Sequence, residues 1–304
     1  MSPSLQCMLC DYTGAPSEIV AHTLRDEASN RHKVVRCPQC GHVQLAPLPT
    51  LDEGAEYYAR DMQPRSLFGD QDYYDILAAK AGMDTVRRLA WLQDTRGPDG
   101  TPLLDVGSGC GFYVNAASEA GYRSTGLEFS GERYELARTR MKGQFINGEV
   151  DEAFAAANRG TYTVVTSSHV VEHLRDPVSY ISRILNLVAP GGAVLIEVLN
   201  LDDEMTWQIS QYADHQWQVC HLRYFDKSRL ELVLRQAGAR DFSVVGVQRY
   251  GMRHLLRWTD VRSPDLGMPG EGGISPLLDR TEAHYRTDRE KAMTCDTLIA
   301  TIRV

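Results

Sequence analysis

Three glycines within nine residues decide most of what this chain can fold into. The stretch LLDVGSGCG at 103–111 runs an apolar segment into a turn where Gly107, Gly109 and Gly111 leave alternate positions without a Cβ. FYVNAASEAG then takes up helical spacing. A strand, a glycine-rich turn and a helix in that order form the opening unit of a parallel α/β sheet, whose ligands bind at the carboxyl ends of the strands. Asp105 stands at that end of the first strand. A tight turn alone needs glycine as well, so the turn is only a weak sign of a nucleotide-like cofactor. Glu128 strengthens it. It ends the next strand, STGLEF, 23 residues beyond Asp105, where a carboxylate can accept both ribose hydroxyl protons. GSGCG lacks the G-x-G-x-x-G spacing of dinucleotide dehydrogenases, which fit poorly.

The alternation continues through GERYELARTRMKG, QFIN, YTVVTS, a helix from Pro177, AVLIEVL, DKSRLELVLRQAG, FSVVGV and TLIATIRV, which predicts βαβ units closing a parallel sheet. PGG at 190–192 is expected to stop the Pro177 helix before the following strand. Residues 102–304 therefore read as one α/β domain with an insertion at 251–290, made of a short helix, a Pro/Gly loop at 263–276 and a helix from about 277 to 291. Residues 48–101 read as a helical connector or lid, in which Tyr57, Tyr58, Tyr73 and Tyr74 could face a ligand.

Residues 1–47 differ in kind. Cys7-x-x-Cys10 and Cys37-x-x-Cys40 supply two knuckles of paired thiolates, the donor set of a closed tetrahedral zinc site. With seven cysteines and no secretory leader pattern, the chain is expected to stay in a reducing cytoplasm, where this spacing favours metal over disulfides. The module reads as a small zinc-ribbon-like fold held by structural Zn²⁺. The formal charge of −8 disfavours a phosphate backbone as main partner. Arg25, Arg31, Lys33 and Arg36 balance Asp11, Glu18, Asp26 and Glu27 within the module, so nucleic-acid binding by it has little electrostatic support. No run of about 18 apolar residues marks a membrane span.

LLDVGSGCG, the strand-terminal Glu128, VVTSSHVVEHLRDP at 164–177 and PGGAVLIEV at 190–198 together resemble class I S-adenosylmethionine (SAM)-dependent methyltransferases. The chain is most similar to the branch related to ubiquinone-biosynthesis O-methyltransferases, in versions carrying an N-terminal zinc-binding domain, as some sugar C-methyltransferases do. The resemblance covers nearly the whole chain. It implies a Rossmann-like seven-stranded α/β sheet with SAM across the carboxyl ends of its first strands. By position, Asp105, Gly107 and Gly109 would line the methionine part, Glu128 would bind the ribose and Phe129 would flank the adenine. Glu149, with Val150 beside it, would lie near the adenine amino group.

Two clusters are candidates for acceptor chemistry. In SHVVEHLRDP, His169, Glu172 and His173 would share one face if the segment is helical. Ubiquinone-type relatives have Glu where this chain has His169, so Mg²⁺, which prefers oxygen ligands, is not expected. The second cluster, Trp207, Tyr212, His215, Trp217, His221 and Tyr224, has the aromatic faces and polar tips of an acceptor pocket. His221 matches a recurrent family position and is the first candidate for a general base, with His169 and His173 next. The expected function is methyl transfer from SAM to a small-molecule acceptor, a sugar-nucleotide or secondary-metabolite intermediate, with O- favoured over C- or N-methylation. An RNA methyltransferase gripping RNA with the zinc module, and a non-catalytic SAM-binding subunit, are the alternatives.

Overall fold

The computed structural model describes residues 4–27, 29–59, 74–259 and 275–304. Strands β1 (Leu5–Gln6) and β2 (Thr13–Gly14) form an antiparallel ribbon around the first cysteine pair. Strands β3 (Glu18–Ala21), β4 (Lys33–Arg36) and β5 (Val43–Ala46) form an antiparallel meander around the second. Helix α1 (Leu51–Ala59) follows, and α2 (Tyr74–Thr95) leads into the main domain, burying Leu92 against Leu103, Tyr113 and Val164. Tyr73 and the side chain of Tyr58 lie outside the described residues.

The α/β alternation is as the sequence predicts. It runs β6 (Pro102–Val106), α3 (Phe112–Glu119), β7 (Arg123–Glu128), α4 (Gly131–Arg140), β8 (Gln144–Asn147), α5 (Glu152–Ala157), β9 (Tyr162–Ser168), α6 (Pro177–Asn186) and β10 (Val188–Leu199). Side-chain caps start several helices: Asp151 accepts from the Phe154 amide, and Asp176 from the Ser179 amide with Pro177 at the first helical position. The chain then passes through α7 (Glu204–Gln208), α8 (Ser210–Gln216), β11 (Arg223–Tyr224), α9 (Lys227–Gln236), β12 (Asp241–Val247), α10 (Met252–Thr259), α11 (Ser275–Ala292) and β13 (Thr297–Arg303). The main sheet has seven strands in the order β12-β13-β10-β9-β6-β7-β8, with β13 antiparallel to both neighbours. Strand order reverses between β6 and β9, which opens a crevice at their carboxyl ends.

One boundary differs from the sequence reading. Helix α6 ends at Asn186, and Val188 already pairs with Tyr162, so PGG does not stop the helix. It forms an irregularity inside β10, where the register shifts between Val188 and Ala193. A Cβ on Gly192 would stand 2.3 Å from the Thr163 carbonyl oxygen, so this close approach between neighbouring strands requires glycine. The 251–290 insertion contains α10 and most of α11. Its Pro/Gly loop falls outside the described residues except for Ser275 and Pro276, which open α11.

The N-terminal meander is completed from the far side of the chain. β11 pairs with β5, Arg223 opposite Gln44 and Tyr224 opposite Val43, making a four-stranded sheet ordered β11-β5-β4-β3. Leu5, Cys7, Val35 and Cys37 accordingly share one buried cluster with Val165, Val171 and Phe225. Among the described residues no helix is long and apolar enough to cross a membrane.

Candidate active site and metal centre

The turn after β6 is built by backbone geometry that L side chains rarely adopt: Gly107, Gly109 and Gly111 have φ of 75°, 55° and 80°. The amides of Gly107 and Ser108 donate to the Leu127 carbonyl, which ties the turn to β7. A Cβ on Gly107 would meet the Val170 side chain at 2.4 Å, whereas one on Gly109 would meet nothing within 4 Å. The turn therefore packs directly on the 169–173 loop on one side and is open on another. Asp105 is buried beneath it. Thr166 Oγ1 donates to its Oδ1 at 2.7 Å, and burial raises its pKa to about 6. Glu128 is buried at the end of β7, its carboxylate accepting from the Gly109 amide at 2.7 Å and the Ser130 amide at 2.8 Å. Those bonds use one lone pair on each oxygen and leave others for ribose hydroxyls. Phe129 beside it is 57% exposed, a bare aromatic face at the sheet edge. Glu149 is exposed and Val150 buried just past β8. Together these groups fit the polar and planar parts of SAM.

The segment 169–173 is not the helix face that spacing alone allows. Val171–His173 is a single 3₁₀ turn, and His169 sits before it at φ 54°. The His169 amide donates to the Glu197 carbonyl at 2.8 Å, which holds the ring over β10. His169 Nδ1 lies 3.1 Å from Glu172 Oε1 and Nε2 lies 3.0 Å from Glu197 Oε1. Burial and the Arg249 guanidinium oppose charge on this imidazole, but the two carboxylates prevail and its pKa is raised. His169 is thereby held in a charge network.

That network centres on residues the sequence reading missed. Glu197 is wholly buried in β10 and accepts from Arg87 Nη2 at 2.8 Å and Arg88 Nη2 at 2.9 Å, both from α2. Burial alone would raise its pKa, but Arg88 and His169 hold it well below the usual carboxylate range. The signal was present in AVLIEVL, since a carboxylate within an apolar strand needs cationic partners.

His173 and His221 meet behind the same loop. Their ring centroids are 5.0 Å apart, and His173 Nδ1 lies 2.8 Å from the Cys220 carbonyl oxygen. Burial lowers the pKa of both rings, that of His221 to about 3. Among the described residues His221 Nδ1 has no hydrogen-bond partner. Glu172 stays ionised at a pKa near 2, because the hydrogen bond and charge of His169 outweigh its burial; among the described residues its Oε2 has no hydrogen-bond partner. The donor atoms of His173, Cys220 and His221 lie within 4.8 Å of one another, a second place where a soft cation would find ligands. Of the aromatic cluster, Trp217 lies 6.4 Å from Trp207 and 4.9 Å from Tyr224. The cluster is extended by α10, whose Trp258 packs on Tyr212 and His215 at 5.4 Å each.

A neutral buried histidine makes stability depend on pH. The folded pKa of His221 lies below its unfolded value of about 6.5, so the unfolded chain binds the extra proton and stability falls as pH drops below that value. His221→Gln should therefore flatten the decline of Tm between about pH 6.5 and 5, by up to about 1.4 kcal/mol per pH unit. Calorimetric scans of both proteins across this range check it; parallel curves would mean that His221 titrates normally in the fold.

The four paired cysteines converge. Cys7 Sγ lies 3.6 Å from Cys40 Sγ, Cys10 Sγ lies 3.7 Å from Cys37 Sγ, and all four sulfurs fall within 4.8 Å of one another. A zinc tetrahedron with bonds of about 2.3 Å places its sulfurs about 3.8 Å apart, so the donor set fits Zn²⁺. Each knuckle closes in the same way, with the Asp11 amide on the Cys7 carbonyl and the Gly41 amide on the Cys37 carbonyl. Burial raises the thiol of Cys7 to about 11 and that of Cys40 higher than normal, while for Cys37 burial is outweighed by the amides of Cys40 and Gln39 and its pKa is lowered.

Residues 74–244 match a family described as a methyltransferase domain. The ubiquinone biosynthesis O-methyltransferase of Thiobacillus denitrificans is 36% identical over 118 residues, covering 37% of this chain and 50% of that protein. The enzyme of the same name from Aromatoleum aromaticum is 28% identical over 177 residues, covering 53% and 73%. The chain spans about half the length of the first curated relatives it matches. A SAM-dependent methyltransferase from Archaeoglobus fulgidus has the same fold, with a TM-score of 0.54 at 16% identity over 77% of this chain and 100% of that one. The matched segment holds the glycine turn, Glu128, the 169–173 loop and His221, and leaves the cysteine pairs outside it. Because that segment is more than half of the 304 residues, this chain belongs to the methyltransferase-domain family.

Proposed function

We propose that this protein transfers the methyl group of SAM to a small-molecule acceptor, with oxygen as the favoured atom and a sugar-nucleotide or secondary-metabolite intermediate as the acceptor class. The observation that carries this reading is the contact between the glycine turn and the histidine loop: Gly107 abuts Val170, so the cofactor cradle and the His169–His173 loop share one wall. Asp105, Gly107 and Gly109 would hold the methionine part of SAM, Glu128 the ribose, and Phe129, Glu149 and Val150 the adenine. Bound SAM supplies an electrophilic methyl group on a sulfonium. His221 then accepts the acceptor hydroxyl proton at its unpartnered Nδ1, a role that its neutral state permits. The ionised Glu172 offsets the imidazolium that forms, and His173 is held against the Cys220 carbonyl beside it. The aromatic wall around Trp217 and Tyr212 orients a ring or sugar by its faces. Zinc on the four cysteines is structural, in keeping with a reducing cytoplasmic setting. The net charge of −8 supports a small molecule over a nucleic acid.

Calorimetry with S-adenosylhomocysteine, followed by turnover on a panel of sugar nucleotides, phenols and RNA oligonucleotides, tests the assignment. Product from RNA alone would replace the small-molecule reading. Glu128→Gln should weaken SAM binding by about 1.5–3 kcal/mol, the range for a hydrogen bond to a charged group. An unchanged Kd for this variant places the ribose elsewhere.

A further inference from the structure

Arg223 is one of the largest side chains with no solvent exposure at all. β11 carries it out of the methyltransferase domain into the N-terminal sheet, opposite Gln44. Its Nη2 donates to the Arg175 carbonyl at 2.8 Å and lies 3.5 Å from the sulfur of Met8, inside the first cysteine pair. Gln44, its cross-strand partner, accepts the Met8 amide at 2.7 Å, so the pair braces that knuckle. Among the described residues the remaining guanidinium nitrogens, Nε and Nη1, have no hydrogen-bond partner. Arg229, another guanidinium at the cysteines, is different: its Nε donates to the Cys40 carbonyl at 3.1 Å and it is paired with Asp226 at 3.0 Å.

A buried guanidinium without a counter-charge is strongly disfavoured, and an apolar residue of similar volume would serve the fold better. What surrounds Arg223 makes sense once the cysteines hold a metal. Four thiolates around one Zn²⁺ carry a net charge of about −2, and that charge is desolvated along with the site. Burial lowers the pKa of Arg223 to about 10, and the charges that favour its protonated form are Asp176 and then Cys7.

We propose that Arg223 is the built-in counter-cation of the zinc tetrathiolate, a residue of the methyltransferase domain that stabilises the metal centre of the N-terminal module. The inference rests on the reading of the four cysteines as a zinc site. It also gives the module a hold on the active site, because Arg223 lies two residues beyond His221 on the same short segment. Zinc and the segment carrying the proposed base are thus stabilised together.

The test compares zinc release from the full-length wild-type chain, Arg223→Gln and Arg223→Lys, using a chelator with a colorimetric zinc indicator and, in parallel, the absorption of Co²⁺-substituted protein. Arg223→Gln, close in length but neutral, should bind zinc about 10- to 100-fold more weakly, the usual effect of removing an outer-shell partner, and release it correspondingly faster. Arg223→Lys, which keeps the charge, should stay within a few-fold of wild type. Equal rates for wild type and Arg223→Gln, or equal losses for Gln and Lys, overturn the proposal while leaving the zinc reading intact. A wild-type chain that holds no metal overturns the zinc reading itself. Should the Gln variant not fold, hydrogen exchange on the wild-type chain decides: stripping zinc should raise exchange at 222–225 as well as at 33–37, and unchanged exchange at 222–225 refutes the link.

Discussion

Replacing His221 by alanine should lower kcat by about 10²- to 10⁴-fold while leaving SAM affinity nearly unchanged. The separation follows from the topology. SAM contacts are expected on the turn after β6 and at the end of β7, whereas His221 arrives from the opposite side on the segment leading into β11. Its imidazole is neutral at physiological pH because burial opposes its protonation, so the proposed base is ready before the acceptor binds. No acid limb from His221 should therefore appear in kcat between about pH 5 and 7, in contrast to an unperturbed histidine near 6.5. Isothermal titration with S-adenosylhomocysteine and steady-state kinetics on the true acceptor check both halves. A full-rate His221→Ala enzyme would transfer the role to His173, whose ring is 5.0 Å away. His169 is the weaker substitute, because Glu172 and Glu197 already occupy its two nitrogens.

Removing the metal should have the largest effect on stability. Structural zinc contributes roughly 10–16 kcal/mol of binding free energy, nearly all of it available as folding free energy for a segment this small. Cys37→Ser is the sharpest variant, since that residue supplies a sulfur and anchors the second knuckle through the His42 carbonyl and the Gly41 amide. The protein should then bind no zinc by elemental analysis and lose hydrogen-exchange protection in β1–β5. Loss should extend beyond the module. The Leu45 amide donates to the Leu222 carbonyl at 3.0 Å, the Arg25 amide to the Trp217 carbonyl at 2.9 Å, and the Val219 amide to Asp26 Oδ1 at 2.9 Å. Residues 217–225 should therefore loosen with β5, and acceptor turnover should fall while S-adenosylhomocysteine still binds the β6–β8 side. A metal-free wild-type preparation that remains folded and fully active defeats this prediction.

Several features were legible from residue order alone because they are local. Gly107 and Gly109 follow a buried strand, and only a residue without Cβ takes their positive φ at low cost, so the turn could be read in place. Glu128 at a strand end and the α/β alternation likewise rest on periods of two and 3.6 residues. The two Cys-x-x-Cys pairs announced their own convergence, as their sulfurs bear out. The boundary error at PGG came from treating the glycines as a helix stop, when the contact between Gly192 and Thr163 that requires them lies across the sheet.

What tertiary structure alone decided are the pairings between distant residues. Arg25 reaches His215 across 190 positions, Arg87 reaches Glu197 across 110, and β5 takes β11 as its edge partner. No periodicity marks such partners, because they are selected by burial: Glu197 enters an apolar strand and must find cations, and Arg223, equally buried, carries a charge for which the cysteine cluster is the counterpart we propose. The sequence by itself thus determined the glycine turn, the paired cysteines and the sheet, each set by neighbours in the chain. The folded molecule decided which histidine stays neutral and which is held between carboxylates, because that depends on desolvation and on charges brought in from elsewhere.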